Sequence, residues 1–296
     1  MGKILISGGT GLVGKQLREL LESNGHEVNV LTRSPKKQRE FIWNINKRTI
    51  DKNAFTGVTH IIHLAGAGIA DKRWTKKRKQ QIIDSRVKSA NLLYEYVLKL
   101  NVKLKGFISA SGIGYYGAYK STNEFSEESL PYKDYIAKVC ILWESAAKQF
   151  EKLNIPVTIL RTGIVLSNKG GALAKMNTPA FIVALGSGKQ YFPWIHINDL
   201  CQIYMKCIDN KYSVIFNSVT NDIQTNNSFS ASLAKMTGKI LSPINIPSFI
   251  LKILLGEMSV ILLYGNKISS KKIESFYKFE YSNLIHALKY IIKECN

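Results

Sequence analysis

The stretch KILISGGTGLVG, residues 3–14, carries the strongest indication of fold in this chain. Its first five residues form an apolar run typical of a buried strand, and residues 14–24 continue as a helix. Gly8 allows a tight turn between them, Gly11 lets backbone amides approach a pyrophosphate, and Gly14 lets the helix pack closely on the strand. Three glycines alone are a weak signal, but a strand before them and a helix after them predict a dinucleotide-binding loop.

Short apolar strands and amphipathic helices alternate through the first half of the chain, which is typical of βαβ units around a parallel sheet. The predicted strands are residues 3–7, 27–32, 58–64, 105–109, 157–162 and 215–219, and the predicted helices are 14–24, 76–100 and 135–153. Residues 195–208 are predicted to be a short connection leading into a helix. The predicted fold class is therefore α/β, with a Rossmann-type, doubly wound parallel sheet.

The pattern loosens after residue 165, and helices dominate from Asn226 to the segment around Ile291. No Gly/Ser linker or internal repeat is visible, so the C-terminal part is expected to pack directly on the first domain. We predict an NADP-binding Rossmann domain of residues 1–165, completed by residues 195–222. Residues 166–194 and 223–296 are predicted to form a smaller, mainly helical C-terminal substrate domain.

The composition limits the class of protein. The chain has 296 residues, 45% of them hydrophobic, with 21 Gly and 7 Pro, which excludes disordered and collagen-like classes. It carries 41 Lys+Arg against 21 Asp+Glu, a net charge of +20, but only 8 of the basic residues are Arg. Because arginine is preferred for base and bidentate phosphate recognition, nucleic acid is not the expected partner. The lysines, densest at residues 72–79 (KRWTKKRK), fit a solvated surface, and a nucleic-acid or membrane-surface binder is the alternative left open.

The cysteines indicate the redox compartment, and the most apolar segment indicates whether the chain spans a membrane. The four cysteines are Cys140, Cys201, Cys207 and Cys295. They show neither a CxxC pair nor a metal-ligand spacing, so free, mostly buried thiols, no metal site and a reducing, cytoplasmic compartment are expected. No signal peptide is expected ahead of the first strand. The segment FILKILLGEMSVILL, residues 249–263, is interrupted by Lys, Gly and Glu, and its apolar spacing predicts a half-buried helix and no membrane span.

The end of the second strand indicates which dinucleotide the loop takes. An NAD site places Asp or Glu there to bind the ribose hydroxyls, whereas this chain continues as VLTRSPKK with no carboxylate before Glu40. Arg33 can bind a 2′-phosphate through its forked guanidinium, with the hydroxyls of Thr32 and Ser34 beside it. NADP(H) is therefore the predicted cofactor, and an ordinary surface arginine is the alternative interpretation of Arg33.

Residues after the third strand extend the expected cofactor groove. That strand ends in HLAG, residues 63–66, whose small residues let adenosine and pyrophosphate lie against the backbone. His63 is expected to be a neutral, hydrogen-bonded group at the core edge rather than a base. Gln81 and Arg86, on the following helix, either reach into this groove or pair with neighbouring acids such as Asp84.

Further motifs make the chain resemble one family nearly end to end. They are GGTGLVG at 8–14, HLAGAGIADKRW at 63–74, DSR at 84–86, SASGIGYYG at 109–117, LRTGIVLSNKGGAL at 160–173, YFPWIHINDL at 191–200, PSFILKILLGEMSVILL from 247 and FYKFEYSNLIHAL from 276. The chain resembles the extended, atypical short-chain dehydrogenase/reductase superfamily, in the group assigned as nucleoside-diphosphate-sugar epimerases with a small C-terminal domain. The resemblance implies a Rossmann domain that binds NADP, a C-terminal substrate domain, and an active site in the cleft between them.

The resemblance also implies cofactor contacts for individual residues. They are Gly8, Thr10, Gly11, Leu12, Val13, Thr32, Arg33, Leu64, Ala65, Gln81, Arg86 and the segment around Ile164, in addition to Gly14 from the glycine pattern. The superfamily's chemistry uses a tyrosine general acid/base assisted by a lysine four residues later, and a Ser or Thr that orients the substrate.

This chain departs from that catalytic pattern. Tyr135 has Val139 four residues later, and Lys138 lies only three later, on a neighbouring face of the helix. The aligned serine position is Gly112, with Ser111 one residue before it. The expected catalytic pair is therefore not intact.

The remaining candidates for catalysis are hydroxyls near these positions. We expect Ser111 to orient the substrate and Tyr115, Tyr116 or Tyr135 to act as acid/base, with aromatic packing beside the nicotinamide as the alternative for each tyrosine. His196, in the WIHI motif, is expected to have a structural hydrogen-bonding role rather than that of a base.

Two functions are expected from these features. The first is an NADP-dependent oxidoreductase or epimerase that acts on a small-molecule polar substrate, with nucleotide-linked sugars among the candidates. The second is an NADPH-binding sensor or scaffold that kept the cofactor site and lost the catalytic pair. The superfamily commonly forms dimers through exposed helices, so a homodimer is a further expectation from the resemblance.

Overall fold

In the computed structural model, which describes residues 2–293, side chains of the central strands alternate between two apolar layers. Ile4 and Ile6 belong to one buried cluster with Leu17, whereas Leu5 between them belongs to another with Leu93. Because successive side chains of a strand point to opposite faces, helices cover both faces of one sheet. This is the doubly wound α/β architecture predicted from the sequence, and the fold class is confirmed.

The described residues contain fourteen strands and ten helices. The strands are β1 Lys3–Ser7, β2 Glu27–Thr32, β3 Glu40–Asn44, β4 Thr49–Ile50, β5 His60–His63, β6 Gly106–Gly112, β7 Glu124–Phe125, β8 Val157–Thr162, β9 Ile164–Leu166, β10 Phe181–Ile182, β11 Trp194–His196, β12 Val214–Ser218, β13 Ile240–Leu241 and β14 Lys267–Ile268. The helices are α1 Leu12–Ser23, α2 Lys76–Lys99, α3 Tyr135–Lys148, α4 Gly171–Met176, α5 Ile197–Lys206, α6 Asn226–Thr237, α7 Ser248–Leu255, α8 Val260–Leu263, α9 Lys271–Phe276 and α10 Leu284–Lys293.

The order of strands in the main sheet places a crevice beside β1. The order is β12-β8-β6-β5-β1-β2-β3-β4, parallel throughout except for the antiparallel pair β3–β4. The chain runs outward from β1 through β2 and β3, then returns to β5 on the other side of β1. The connections that follow β1 and β5 therefore lead to strands on opposite sides, and ligands of such sheets bind at this switch point, at the carboxyl ends of the strands.

The six predicted strands are all present, with shifts of a few residues at their ends. The sequence prediction missed β3 and β4, because their mixed pattern around Trp43 lacks strict alternation. The predicted helix 135–153 is an α-helix only to Lys148 and continues as a 3-10 helix to Leu153.

A second group of elements lies outside the main sheet, and all of it except β7 follows β8 in the chain. Three two-stranded pairs, β9–β11, β10–β13 and β7–β14, link it together, and a buried cluster around Trp194, Phe229 and Leu288 forms its own core. Ile273 of α9 packs instead into the first layer of the main sheet. The division into a domain of residues 1–165, completed by 195–222, and a C-terminal domain stays a proposal.

The segment 249–263 is not the single half-buried helix that its spacing predicts. Gly256, at φ 60°, ends α7, and a 3-10 turn separates it from α8. Side chains on α7 are also far more exposed than expected, with Ile253 68% exposed. No helix within residues 2–293 combines the length and apolar character needed to cross a bilayer.

The cysteines within the described range are free and buried, as expected: Cys140, Cys201 and Cys207. Cys295 lies outside the described residues. In the part of the chain that the structure covers, no cluster of three or more His, Cys, Asp or Glu side chains is placed to hold a metal ion.

Candidate functional site

Gly8 and Gly14, in the glycine turn after β1, are packed too closely to carry a side chain. A Cβ on Gly14 would lie 2.3 Å from the carbonyl oxygen of Gly8, so the first turn of α1 rests directly on the turn. Gly8 has φ 80°, and its Cβ would lie 2.7 Å from the carbonyl carbon of Leu64 and 2.8 Å from the amide nitrogen of Ala65. The turn after β1 and the turn after β5 therefore touch at the switch point.

The start of α1 presents free backbone amides beside this turn. Gly11 is the N-cap, no side chain caps the helix, and its first turn contains no acidic residue. Thr10 and Gly11 are exposed, with Leu12 and Val13 half-buried behind them. Uncapped amides at the positive end of a helix bind anions, so this geometry fits a pyrophosphate.

The loop before α4 lies over the start of α1. A Cβ on Gly171 would lie 3.2 Å from Leu12 Cδ2, and Lys169 Nζ donates a 3.1 Å hydrogen bond to Gln16 Oε1. The motif SNKGGAL therefore approaches the glycine turn from the second group of elements.

At the end of β2, the nearest carboxylate is already occupied. Glu40 Oε2 accepts hydrogen bonds from the backbone amides of Lys36 (2.7 Å) and Lys37 (3.2 Å). The hydrogen bond from Lys36 holds the pKa of Glu40 below its usual value, although partial desolvation opposes this. Glu40 thus shapes the loop that carries Arg33, and it is not free to bind ribose hydroxyls.

A cavity of about 680 Å³ opens between the end of β2, strand β3 and the beginning of α2. Arg33 and Ile42 line one side, and Lys77 and Gln81 line the other. Lys88 and Asp84 also line it and are paired with each other, whereas no hydrogen bond or ion pair joins the side chain of Arg33 or Lys77 to another of residues 2–293. Two cationic side chains without a partner among these residues therefore line one cavity at the carboxyl end of β2. Another cavity, of about 480 Å³, lies at the opposite, amino edge of the sheet and is lined by Phe55, Thr59 and Leu100.

The two predicted residues on α2 have different environments. Gln81 Oε1 accepts a 2.8 Å hydrogen bond from Arg78, at the rim of the cavity. Arg86 is buried, donates to the carbonyls of Ala67 and Ile82 at 3.0 Å, and stacks on Trp143. The alternative in which they pair with Asp84 is wrong, because Asp84 binds Gln80 and Lys88 instead. Arg86 braces the turn after β5 from below.

His63 is the neutral, hydrogen-bonded group that its apolar context predicts. Its Nδ1 lies 2.6 Å from Ser7 Oγ, and its Nε2 lies 3.3 Å from the carbonyl oxygen of Arg86 and from Ser89 Oγ. Complete burial lowers the pKa of His63 to about 4. It links β1, β5 and α2 beneath the glycine turn.

Ser111 belongs to a buried ion-pair network. Its Oγ donates a 2.7 Å hydrogen bond to Glu144 Oε1. Arg161 holds the same carboxylate through Nε and Nη2, both at 2.9 Å, and both side chains of the pair are at most 5% exposed. Burial alone would lower the pKa of Arg161, but its hydrogen bonds to Glu144 outweigh this and raise it. The serine hydroxyl is thus committed to the network.

Tyr116 is fully buried and joined to the same network. Its hydroxyl donates to Asn217 Oδ1 at 2.6 Å and accepts from Arg161 Nη1 at 3.0 Å. Burial raises the pKa of Tyr116 to about 12. Asn217 in turn binds the carbonyl of Ser269, so the phenol connects the end of β6 with β12 and the segment before α9.

Tyr135 joins the starts of α2 and α3. Its hydroxyl donates a 3.0 Å hydrogen bond to the carbonyl of Lys79, and its ring packs edge-on against Trp74. Partial burial raises the pKa of Tyr135 to about 12. Val139 is buried and Lys138 is exposed on the same helix, so no lysine ammonium occupies the position four residues after Tyr135.

Tyr115 differs from the other three candidates. It lies in the 3-10 turn Ile113–Tyr116 after β6, and the Arg161 guanidinium lies 3.4 Å from the centre of its ring. It is half-buried, and its hydroxyl makes no hydrogen bond to any residue that the structure describes. Of the four hydroxyls, it is the one left free to meet a ligand.

Comparison with known proteins gives the family. Residues 4–217 match the model of the NAD dependent epimerase/dehydratase family. The chain belongs to that family. Residues 246–291 match a domain of unknown function, DUF1731. An epimerase family protein of Staphylococcus aureus is 36% identical to this chain, over 99% of the chain and 100% of its own length.

Solved structures of two epimerase family proteins are similar over almost the whole chain. The human epimerase family protein SDR39U1, solved with NADPH, has a TM-score of 0.86 and 27% identity, covering 98% of this chain and 99% of that one. The nucleoside-diphosphate sugar epimerase from Corynebacterium glutamicum has a TM-score of 0.78 and 26% identity, covering 98% of this chain and 58% of that one. The family predicted from the motifs is confirmed.

The structure of this epimerase/dehydratase family member gathers the predicted cofactor residues into two neighbouring groups. The first surrounds the glycine turn: Gly8, Thr10, Gly11, Leu12, Val13, Gly14, Leu64 and Ala65. The second lies at the cavity: Arg33 and Gln81 line it, and Thr32 precedes Arg33 at the end of β2. Ile164 begins β9 beyond the end of β8, with its amide bound to the carbonyl of Pro193. Arg86 lies beneath the loop after β5, with its guanidinium turned to backbone carbonyls.

Sequence reasoning missed the Glu144–Arg161 pair and Lys77. Glu144 lies among Val139, Trp143 and Ala147 on the buried face of α3, and Arg161 interrupts the apolar strand β8. A carboxylate and a guanidinium in otherwise apolar elements are the signal of a buried pair. His196 has its expected structural role, since its Nδ1 accepts the amide of Asn198 and caps α5.

Proposed function

We propose that the protein binds NADP(H) and acts as an oxidoreductase or epimerase on a small polar substrate. The observation that carries the proposal is that Arg33 and Lys77, whose side chains have no partner among the described residues, line one cavity at the carboxyl end of β2. A 2′-phosphate on the adenosine ribose would balance these two cations, since Asp84, the carboxylate that lines the cavity, is paired with Lys88.

The glycine turn supports the same cofactor. Its amides suit a pyrophosphate, and the space in front of Gly11 is open, because a Cβ there would meet only the carbonyl oxygen of Gly8, at 3.3 Å. The structural neighbour SDR39U1 is described with NADPH. When bound, a nicotinamide dinucleotide supplies hydride transfer, and this chain's residues orient it and the substrate.

Replacing Arg33 by alanine is expected to raise the Kd for NADPH by about 10- to 100-fold, the value of a lost charge-assisted contact. Lys77→Ala is expected to act in the same direction with a smaller effect, because an ammonium makes no forked contact. The Kd for NADH should change little in both variants. Fluorescence titration with each nucleotide measures the two Kd values and therefore the ratio of the Kd for NADH to the Kd for NADPH.

Lys76→Ala is the matched control, since this neighbouring lysine is exposed and does not line the cavity. Its NADPH affinity should equal that of the unmodified protein. Equal affinities of the unmodified protein for NADPH and NADH would refute the NADP assignment, and an unchanged ratio in Arg33→Ala would refute the role of Arg33.

For the acid/base group we favour Tyr115, because its hydroxyl is free at the carboxyl edge of the sheet. Ser111, Tyr116 and Tyr135 stay predictions from the sequence, and their hydroxyls are held by Glu144, Asn217 and Lys79. Those bonds favour structural roles for all three. Nucleotide sugars head the list of substrates to test, since a relative over 98% of this chain is described as a nucleoside-diphosphate sugar epimerase.

A second candidate function is an NADPH-binding sensor or scaffold without turnover. It is favoured by the missing ammonium after Tyr135 and by the commitment of three candidate hydroxyls to buried hydrogen bonds. This function requires that NADPH changes the conformation of the protein or its affinity for a partner, and an interaction indifferent to NADPH would count against it.

Turnover separates the two functions. With NADPH or NADP and a panel of sugar nucleotides and carbonyl compounds, Tyr115→Phe should lower kcat by about 100-fold or more, the usual contribution of a general acid/base. Its NADPH affinity should not change. Tyr116→Phe should instead lower stability while the folded protein keeps its kcat. If the unmodified protein binds NADPH and turns over nothing in the panel, the enzymatic proposal fails and the sensor remains.

A further inference from the structure

The second group of elements is cationic throughout two long stretches of chain. Residues 166–194 and 223–256 contain six lysines and no Asp, Glu or Arg: Lys169, Lys175, Lys189, Lys235, Lys239 and Lys252. The two stretches lie side by side, because β10 pairs in parallel with β13 and Leu185 bridges to Ile246. No carboxylate balances these lysines within the two stretches; Asp222 and Glu257 lie directly outside the second one, and Glu257 is paired with Lys79.

The same region exposes large apolar side chains in one continuous segment. Between residues 240 and 254 six of them are exposed, by 41–74%, and Phe181, opposite Ile240 in the β10–β13 pair, is 51% exposed. The six are Ile240, Leu241, Ile244, Phe249, Ile253 and Leu254. These seven residues form the apolar surface. Exposed apolar groups of this extent mark an interaction site.

Helix α7 is the most exposed part of the apolar surface. Leu251 is buried and holds the helix to the protein, while Phe249, Ile253 and Leu254 are 60–68% exposed. Lys252 lies among them on the exposed side. An apolar face with lysines at its border is the pattern of a helix that lies in the interface of a membrane.

We propose that the apolar surface binds the headgroup region of an anionic phospholipid bilayer, with α7 inserted among the acyl chains. The lysines supply attraction to anionic headgroups, and the aliphatic side chains leave water. The proposal is independent of the cofactor. It also requires no spanning helix, which is consistent with the lengths of the helices in residues 2–293.

Charge favours an anionic bilayer over two other binding partners, a second copy of this chain and a nucleic acid. A symmetric dimer through the same surface would bring together two copies of a region whose stretches 166–194 and 223–256 each contain lysines and no carboxylate, so their charges would repel. Nucleic acid is recognised through arginine forks and aromatic stacking, whereas these stretches contain no Arg and the apolar surface is mainly aliphatic.

Sedimentation of the full-length protein with vesicles tests the proposal. We expect binding to vesicles of phosphatidylcholine with about one-third phosphatidylglycerol, little binding to phosphatidylcholine alone, and weaker binding at high salt. The variant Phe249→Ser/Ile253→Ser/Leu254→Ser should bind about 10-fold or more weakly, because three apolar anchors are lost. The variant Lys189→Glu/Lys235→Glu/Lys252→Glu should lose binding to a similar extent.

The charge variant should fold normally, since the side chains of these three lysines are exposed and make no hydrogen bond or ion pair with other residues of the described range. Leu98→Ser/Leu130→Ser/Tyr212→Ser removes exposed apolar and aromatic groups outside residues 166–194 and 223–256 and should bind like the unmodified protein. NADPH affinity reports that each variant is folded. Absence of binding to the anionic vesicles, equal binding to both kinds, or unchanged binding by the α7 variant would overturn the proposal. The proposal would also be overturned if the unmodified protein were a dimer and the α7 variant were the only variant that is a monomer.

Discussion

Glu144→Ala is expected to lower the free energy of unfolding by about 3–5 kcal/mol, the usual result of leaving one member of a buried ion pair without its partner. The guanidinium of Arg161 is 2% exposed and would keep only the Tyr116 hydroxyl and the carbonyl of Glu127 as hydrogen-bond acceptors. Ser111 would lose its acceptor as well. Urea unfolding at neutral pH measures the change.

The exposed pair Arg48–Glu95 offers a matched control. Its side chains are 70% and 42% exposed, so Glu95→Ala should change stability by about 0.5 kcal/mol or less. The double variant Glu144→Leu/Arg161→Met should be less destabilised than Glu144→Ala, because no buried charge is left unpaired. A loss in Glu144→Ala no larger than that in Glu95→Ala would contradict the buried network.

This network also explains why Ser111 and Tyr116, two of the catalytic candidates from the sequence, are not free. Arg161 arrives from β8, Glu144 from α3 and Tyr116 from the turn after β6, so one ion pair ties three elements together at the carboxyl edge. The Tyr115 ring rests on the same guanidinium. Any reaction at this edge of the sheet would therefore take place next to a buried network of charged side chains.

Gly14→Ala is expected to weaken NADPH binding by about 100-fold or more, roughly 3 kcal/mol. Its Cβ would lie 2.3 Å from Gly8 O and 2.6 Å from Gly9 Cα, and both are backbone atoms that cannot rotate away. The turn must open, so stability should also fall by about 1–3 kcal/mol, as in other overpacked sites. NADPH titration and urea unfolding of the same sample measure both changes.

Gly11→Ala separates binding from folding. Gly11 has φ −77° and ψ 177°, which any residue adopts, and its Cβ would meet only Gly8 O, at 3.3 Å. Stability should stay nearly unchanged while NADPH affinity falls, because the new methyl group projects toward the expected pyrophosphate. Normal NADPH affinity in both glycine variants would show that the cofactor lies elsewhere.

The fold, and the glycine turn at which we propose that the cofactor binds, were predictable because both depend on local pattern. Apolar runs such as 3–7 and 157–162 define strands, and glycine spacing at 8–14 defines the turn that follows the first of them. Segment 249–263 was predicted less well. Its spacing indicates a helix, but whether that helix is covered depends on what packs against it, and the pattern of one segment contains no such information.

By itself, the sequence determined the parallel sheet, the glycine turn and the family, since each follows from residues that are neighbours along the chain. The tertiary structure alone decided which side chains are free. It joined Ser111 to Glu144 and Tyr116 to Asn217, 33 and 101 residues apart, and it left the Tyr115 hydroxyl without a hydrogen bond to any described residue. It also placed Lys77 across a cavity from Arg33. The physical reason is that hydrogen bonds and ion pairs act over a few ångströms in space, and distance along the chain does not report them.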